Sequence, residues 1–161
     1  MSTQPTREFL AQHAPDITVL EPDADTSTVD LAAAALGVEP GAIAKTLVLA
    51  AKDRVVVVVA SGTARVDNRK FRDTFGAKPR MASADVTFEL TGQRVGGVGP
   101  FGHPQPLDMF CDESLRAFTT VYPAAGTPSS AFPISPDRMA ELTRATWVDV
   151  TSVPNVDAGQ P

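Results

Sequence analysis

Apolar positions change their spacing along this chain, and each change marks an element. Residues 5 to 13 have helical spacing, with Phe9 and Leu10 turned inward and Thr3 placed to cap. Residues 17 to 20 form a short apolar run of strand type, followed by an acidic loop over residues 21 to 27. Ser27 or Thr28 caps a helix over residues 29 to 36, which stops at Gly37. Residues 45 to 51 and 55 to 60 are β-branched, apolar runs around the polar turn Lys52-Asp53-Arg54, the pattern of a hairpin. Five consecutive valines, Val55 to Val59, predict a strand covered on both faces.

A helix over residues 67 to 75 ends at Gly76, and a strand follows over 77 to 81. Ser83 caps a helix over 84 to 90 that ends at Gly92. Residues 95 to 106 are rich in Gly and Pro and predict an irregular loop. Strands are expected over 107 to 112, 118 to 122 and 131 to 134, with a helical turn over 113 to 117. Ser135 caps a helix that starts on Pro136 and runs to Thr143, and residues 147 to 150 form a last strand. Strands and helices mix without strict alternation. The expectation is an α/β fold: a mixed curved sheet or barrel-like sheet surrounded by helices. One domain spans residues 1 to 153, and residues 154 to 161 are a flexible tail.

Composition narrows the chemistry. The chain has 161 residues, 43% hydrophobic and 20% charged, with a net charge of −5. That charge is unevenly distributed. Residues 1 to 44 carry one base and seven acids, net −6; residues 45 to 80 carry nine bases and three acids, net +6; residues 81 to 161 carry four bases and nine acids, net −5. A single cysteine, Cys111, excludes an internal disulfide framework, and two histidines argue against a His-based metal centre. No apolar run approaches the ~20 residues of a membrane helix, and the N-terminus lacks a signal-peptide layout. A cytoplasmic protein without a membrane partner is expected.

Four features carry candidate chemistry. Gly97-Val98-Gly99-Pro100-Phe101-Gly102 matches a dinucleotide fingerprint literally, but Pro100 blocks the helix that the motif must open, so that reading is rejected. Gly96 and Gly97 lack a Cβ, so a substrate carbonyl can approach their N–H groups; the same sequence also suits an ordinary tight turn. Lys45 opens an apolar strand and is either a solvated strand end or a partner for an anionic ligand. Arg65, Arg69, Lys70 and Arg72 cluster on or beside one short helix, as a phosphate-binding surface or a solvated face would. Cys111 reads as a small core residue, His103 as a loop residue, and Ser129-Ser130 lacks the context of a triad.

The order of motifs resembles the YbaK/ProX family of aminoacyl-tRNA deacylases, related to editing domains inserted in some bacterial prolyl-tRNA synthetases. The resemblance rests on Gly37-Val38, Ala44-Lys45-Thr46-Leu47, Thr91-Gly92, residues 95 to 102, Thr119-Thr120-Val121-Tyr122 and Gly126, and runs from about residue 17 to 150. It implies hydrolysis, without metal or cofactor, of the ester joining a wrong amino acid to tRNA, usually proline tRNA. It implies catalytic roles for Lys45, at the terminal adenosine and its phosphate, and for Gly96 and Gly97 at the ester carbonyl. Thr46, Pro100, Gly102 and Gly126 correspond to substrate-binding positions. The implied partners are the acceptor end of aminoacyl-tRNA and, as an open possibility, prolyl-tRNA synthetase.

The chain departs from the Cys-tRNA deacylases of that family at three places. Leu20 or a neighbour stands where they carry an aromatic residue, Ala124-Ala125-Gly126 where they carry Ser-Gly-Gly, and Ala131 where they carry Asp. The pocket is therefore expected to be less polar, which argues against Cys-specific, thiol-assisted release and leaves other small residues such as Ala or Ser as candidates. A non-catalytic module that binds the tRNA acceptor end with the same fold is the alternative.

Overall fold

The computed structural model describes residues 2–154. The expected tail, Pro154 apart, lies outside the described residues. The order is α1 (Gln4–His13), α2 (Val29–Leu36), β1 (Ile43–Ala51), β2 (Arg54–Ser61), β3 (Arg65–Val66), α3 (Asn68–Phe75), β4 (Arg80–Met81), α4 (Ala84–Thr91), β5 (Met109–Asp112), β6 (Tyr122–Pro123), α5 (Pro136–Thr143), β7 (Thr146–Val148) and β8 (Thr151–Ser152). Single 3₁₀ turns occupy Pro40–Ala42 and Glu113–Ala117.

Short polar side chains set the helix starts. Thr28, Asp67, Ser83 and Ser135 each accept a hydrogen bond from the backbone N–H three residues on, at 3.0 to 3.3 Å. Thr3 differs: its backbone is already helical and its hydroxyl accepts from Arg7 Nε at 2.8 Å instead of capping α1. Gly37, Gly76 and Gly92 end α2, α3 and α4 with left-handed φ of 70°, 81° and 71°.

The main sheet runs β4-β1-β2-β5-β7, with β6 paired to β1 off that path. β1 and β2 are antiparallel, while β2–β5, β5–β7 and β1–β6 are parallel. The sheet is mixed and open, not a closed barrel. The valine run behaves as its composition requires. Val57 and Val59 enter a core with Leu10, Leu115, Phe132 and Met139. Val56 and Val58 enter a second core with Leu49, Phe71, Phe110 and Val150 on the other face.

Several expected strands shrink. Residues 17–20 and 131–134 contribute only the bridges Leu20–Ala131 and Val121–Ile134. Residues 118–122 give way to the two-residue β6. Proline at positions 123, 128 and 133 removes N–H donors, so no continuous ladder forms there. Pro79 likewise limits β4 to two residues. A two-stranded sheet of β3 and β8 was not expected, being too short to show a period. It is held by Asp112, a fully buried carboxylate that accepts from Ser114 N at 2.9 Å, Val150 N at 2.8 Å and Thr151 Oγ1 at 2.6 Å.

Candidate active site

The outer edge of β1 is shared by two short strands. β6 pairs with Ile43 and Ala44, and β4 pairs with Leu49 and Ala50, extended by a bond from Ala82 N to Val48 O at 3.0 Å. Backbone groups alternate sides along a strand. Ile43 O faces β2, where it accepts from Gly62 N, so residues 44, 46, 48 and 50 face outward. The N–H and C=O of Thr46 therefore point into the gap between β6 and β4. A cleft of about 210 Å³ opens at that gap.

Several parts of the chain wall this cleft, among them Met81 and Ala82 at β4 and Thr87 of α4. β1 supplies Ala44, Lys45, Thr46 and Val48, and the approach to α2 supplies Thr26, Ser27 and Thr28. The Gly-rich loop supplies Val95, Gly96 and Val98, and the segment after β6 supplies Ala124, Ser130 and Ala131. Small apolar side chains dominate the floor. Ala131 is held in place by its bridge to Leu20.

Lys45 is half-buried, and its Nζ donates to Ala64 O and, at 3.5 Å, to Gly62 O. Burial lowers its pKa below the usual lysine value, and the charge of Arg65 acts in the same direction. Thr46 presents a buried hydroxyl with no hydrogen-bond partner among the described residues. A shielded, unpaired hydroxyl on a cleft wall is a donor or acceptor left for a ligand.

The two glycines separate. Gly96 lines the cleft with φ +95°, and its N–H has no partner among the described residues. Gly97 N–H already donates to Arg94 O at 2.9 Å, closing a turn. A Cβ on Gly97 would lie 2.7 Å from the backbone carbon of Thr127, so this glycine allows backbones to meet. Val98, which sequence reasoning passed over, lines the cleft with an N–H that is likewise unpaired among the described residues.

The remaining expected positions lie elsewhere. Pro100 and Gly102 line a second, larger cavity of about 960 Å³ on the far side of the loop, with Phe88, His103 and Leu142. Gly102 (φ +80°) packs on α1, where a Cβ would come within 2.8 Å of Thr6 N. Gly126 (φ +102°) is buried, 2.8 Å by the same measure from Ser2 O. Arg69 and Arg72 are exposed on α3 and lack ion-pair partners among the described residues, whereas Lys70 bonds Asp149 at 3.0 Å and Thr151 O at 2.8 Å. Cys111 is buried and its thiol is pushed up to about 12 by burial, an inert state. Among the described residues no three His, Cys, Asp or Glu side chains gather as metal ligands, and no helix is long and apolar enough to cross a membrane.

Ser27, Tyr122 and Ser130 also line the cleft; the sequence marked Ser27 as a helix cap, Tyr122 within a family motif and Ser130 as a serine without a triad, and none of them as a site residue.

An open mixed sheet with a small cleft at a split strand edge defines the architecture of this α/β domain. The chain belongs to the aminoacyl-tRNA editing domain family, whose model matches residues 23–142. YwhH of Bacillus subtilis, to which no function is assigned, is 38% identical over 152 residues, covering 93% of this chain and 97% of that one. A solved structure of a candidate trans-editing enzyme for prolyl-tRNA synthetase superposes with a TM-score of 0.86 at 33% identity, covering 94% of this chain and 99% of that chain. The proline–tRNA ligase of Bacillus licheniformis is 32% identical over 100 residues, which are 62% of this chain and 17% of the ligase.

Proposed function

We propose that this chain hydrolyses, in trans, the aminoacyl ester of mischarged tRNA, with proline tRNA carrying a small non-cognate amino acid as its substrate. The observation that carries this reading is the cleft at the split edge of β1, lined by Lys45, Thr46 and Gly96, where the Thr46 hydroxyl and the Gly96 N–H have no partner among the described residues. A volume of about 210 Å³ walled by Val48, Ala124 and Ala131 suits an aminoacyl group with a short, uncharged side chain. Proline tRNA is favoured by the relatives, several of which are proline–tRNA ligases, and one of which is named as a candidate Cys-tRNA(Pro)/Cys-tRNA(Cys) deacylase, EbsC of Enterococcus faecalis, 26% identical over 130 residues. The same likeness supports prolyl-tRNA synthetase as a partner and the cytoplasm as the place of work.

In this reading, Gly96 and Val98 donate to the ester carbonyl oxygen and to the oxyanion that forms when water attacks. The C–O bond to the ribose breaks, and the leaving ribose oxygen takes the proton that the water gives up. Lys45 holds the ribose–phosphate end, and Thr46 bonds the aminoacyl group. The ester is activated enough for positioning and carbonyl polarisation to suffice without a metal. Arg65, Arg69 and Arg72 offer charge to the acceptor stem, Lys70 being already paired.

The test is deacylation of a panel of mischarged tRNAs by wild type and Lys45→Ala. Hydrolysis of a small aminoacyl ester above the blank, lost in the variant, is the expected result. Gly97 N–H is spent in a turn, which favours a second reading: a module that binds the acceptor end without turnover. Binding of tRNA with no hydrolysis across the panel selects that reading.

A further inference from the structure

The loop that carries Gly96 and Val98 is fixed by two side chains outside the cleft. Gln93 is a buried amide, 4% exposed, at the start of the loop. Its Oε1 accepts from Gly99 N at 2.8 Å, and its Nε2 donates to Phe101 O at 3.0 Å. His103 Nε2 lies 2.8 Å from Gly99 O. A carbonyl only accepts, so Nε2 carries the proton in this contact. Burial lowers the His103 pKa and favours the neutral ring, consistent with that tautomer.

Gly99 is thus held at both backbone polar atoms, its N–H by Gln93 and its C=O by His103. The base of Gln93 is itself anchored. Its N–H donates to Thr91 Oγ1 at 3.0 Å, and that hydroxyl donates to Thr87 O at 2.7 Å on the last turn of α4. On the other side, the Arg94–Gly97 turn fixes the loop before Val98. The loop has no slack against its neighbour, since a Cβ on Gly99 would lie 2.0 Å from Ala124 O. The N–H groups of Gly96, inside that turn, and of Val98, between the turn and Gly99, are unpaired among the described residues.

We infer that Gln93 and His103 are positioning residues that clamp Gly99 and so hold the Gly96 and Val98 N–H groups at the cleft. The inference rests on the hydrolytic reading above and assigns neither residue to the chemistry, because neither reaches the cleft. Preorganised donors lose much of their effect when displaced by about an ångström, on the order of 100-fold in rate. A general base at His103 would require its ring to face the substrate, and its ring is committed to Gly99.

Gln93→Met keeps the length and removes both hydrogen bonds. His103→Asn keeps an amide donor for Gly99 O, and His103→Ala removes it. Single-turnover deacylation is measured beside amide hydrogen exchange at Gly99 and thermal unfolding. The clamp predicts that kcat falls about 10- to 100-fold in Gln93→Met and His103→Ala, with KM within about twofold. It predicts faster exchange at Gly99 in Gln93→Met, and His103→Asn recovering most of the rate with the pH profile unchanged. Wild-type kcat in folded Gln93→Met and His103→Ala overturns the inference. So does a His103→Asn variant as slow as His103→Ala with an altered pH profile, which would make His103 catalytic. Should Gln93→Met unfold, His103→Ala and His103→Asn decide alone. If wild type hydrolyses no ester, the functional reading fails, and unchanged Gly99 exchange in Gln93→Met separately refutes the clamp.

Discussion

The ammonium of Lys45 on β1 donates to the carbonyl of Ala64, in the turn that leads into β3. The bond fixes a half-buried charge at the cleft and brings it within the field of Arg65. Burial and Arg65 both favour the neutral amine, so the folded pKa lies below the usual 10.5. The sign follows. Holding Lys45 charged costs stability below the folded pKa, and that cost disappears as pH rises through it toward 10.5. If the ammonium binds substrate, kcat/KM declines on the alkaline side at a pH below 10.5, after blank hydrolysis is subtracted. Lys45→Ala lowers kcat/KM about 10- to 100-fold, the worth of one hydrogen bond to a charged group. A pH–rate profile of wild type and Lys45→Ala checks both, and superimposable profiles would remove Lys45 from the site.

Thr46 separates stability from function. Its hydroxyl is buried and unpaired among the described residues, so folding has desolvated it without return. Thr46→Val keeps the shape and the β-branched fit to β1. The variant is expected to be more stable by about 1 kcal/mol while kcat/KM drops about tenfold. Chemical denaturation and deacylation, run on one preparation, test the pair of effects. A less stable Thr46→Val would mean that the hydroxyl has a protein partner.

These two residues also show what was legible in the sequence. Lys45 stood out because a charge opened an apolar strand, and the hairpin of β1 and β2, the doubly covered valines and the caps of α2, α4 and α5 followed from local pattern. Their causes are local: caps, glycine stops and side-chain alternation act within a few residues. The cleft was not legible. It exists because β6 and β4 divide one edge of β1, and each is two residues long. Strands that short carry no period, and prolines cut their flanks. The split between Gly96 and Gly97 was hidden too, since only the fold shows that one N–H closes a turn. Asp112 merely ends the strand expected over 107 to 112, and its three acceptor bonds reach residues up to 39 positions away.

Asp112 gives a stability prediction remote from the cleft. Asp112→Ala leaves two backbone N–H groups and the Thr151 hydroxyl without their acceptor and detaches β8 from β5. Its expected cost is about 3 to 5 kcal/mol, as for a broken buried polar network. Urea unfolding measures it, and a loss under 1 kcal/mol would show that water replaces the carboxylate.

The basic residues near β3 and α3 divide by their partners. Lys70 is engaged with Asp149 and Thr151 O, while Arg69 and Arg72 are exposed without ion pairs among the described residues. Each phosphate contact contributes roughly one unit to the slope of log binding constant against log salt. Arg69→Ala and Arg72→Ala are therefore expected to flatten the salt dependence of tRNA binding by about one unit each, and Lys70→Ala to leave it unchanged. Filter binding across a salt series distinguishes the three. A Lys70→Ala slope change equal to that of the arginines would place the bound tRNA across Lys70 as well.

Neighbouring glycines allow the sharpest comparison. Gly96 has φ +95°, and a methyl there would meet only Ser27, with Cβ 3.5 Å and the carbonyl oxygen 3.7 Å away. Gly96→Ala thus costs about 1 kcal/mol of left-handed strain and no severe clash. If the Gly96 N–H is the carbonyl donor proposed above, a methyl beside it lowers activity more than stability. Gly97 has an ordinary φ, but its Cβ would press on the Thr127 backbone at 2.7 and 2.8 Å and on Pro128 N at 3.0 Å. Backbone cannot yield as a side-chain tip does, so Gly97→Ala must push the loop away from residues 127 and 128. The expected order is that Gly97→Ala is the less stable variant by calorimetry, and Gly96→Ala retains its melting temperature to within a few degrees yet loses most of its kcat. If instead Gly96→Ala keeps full kcat, the close approach to Gly96 that the proposal requires is not made.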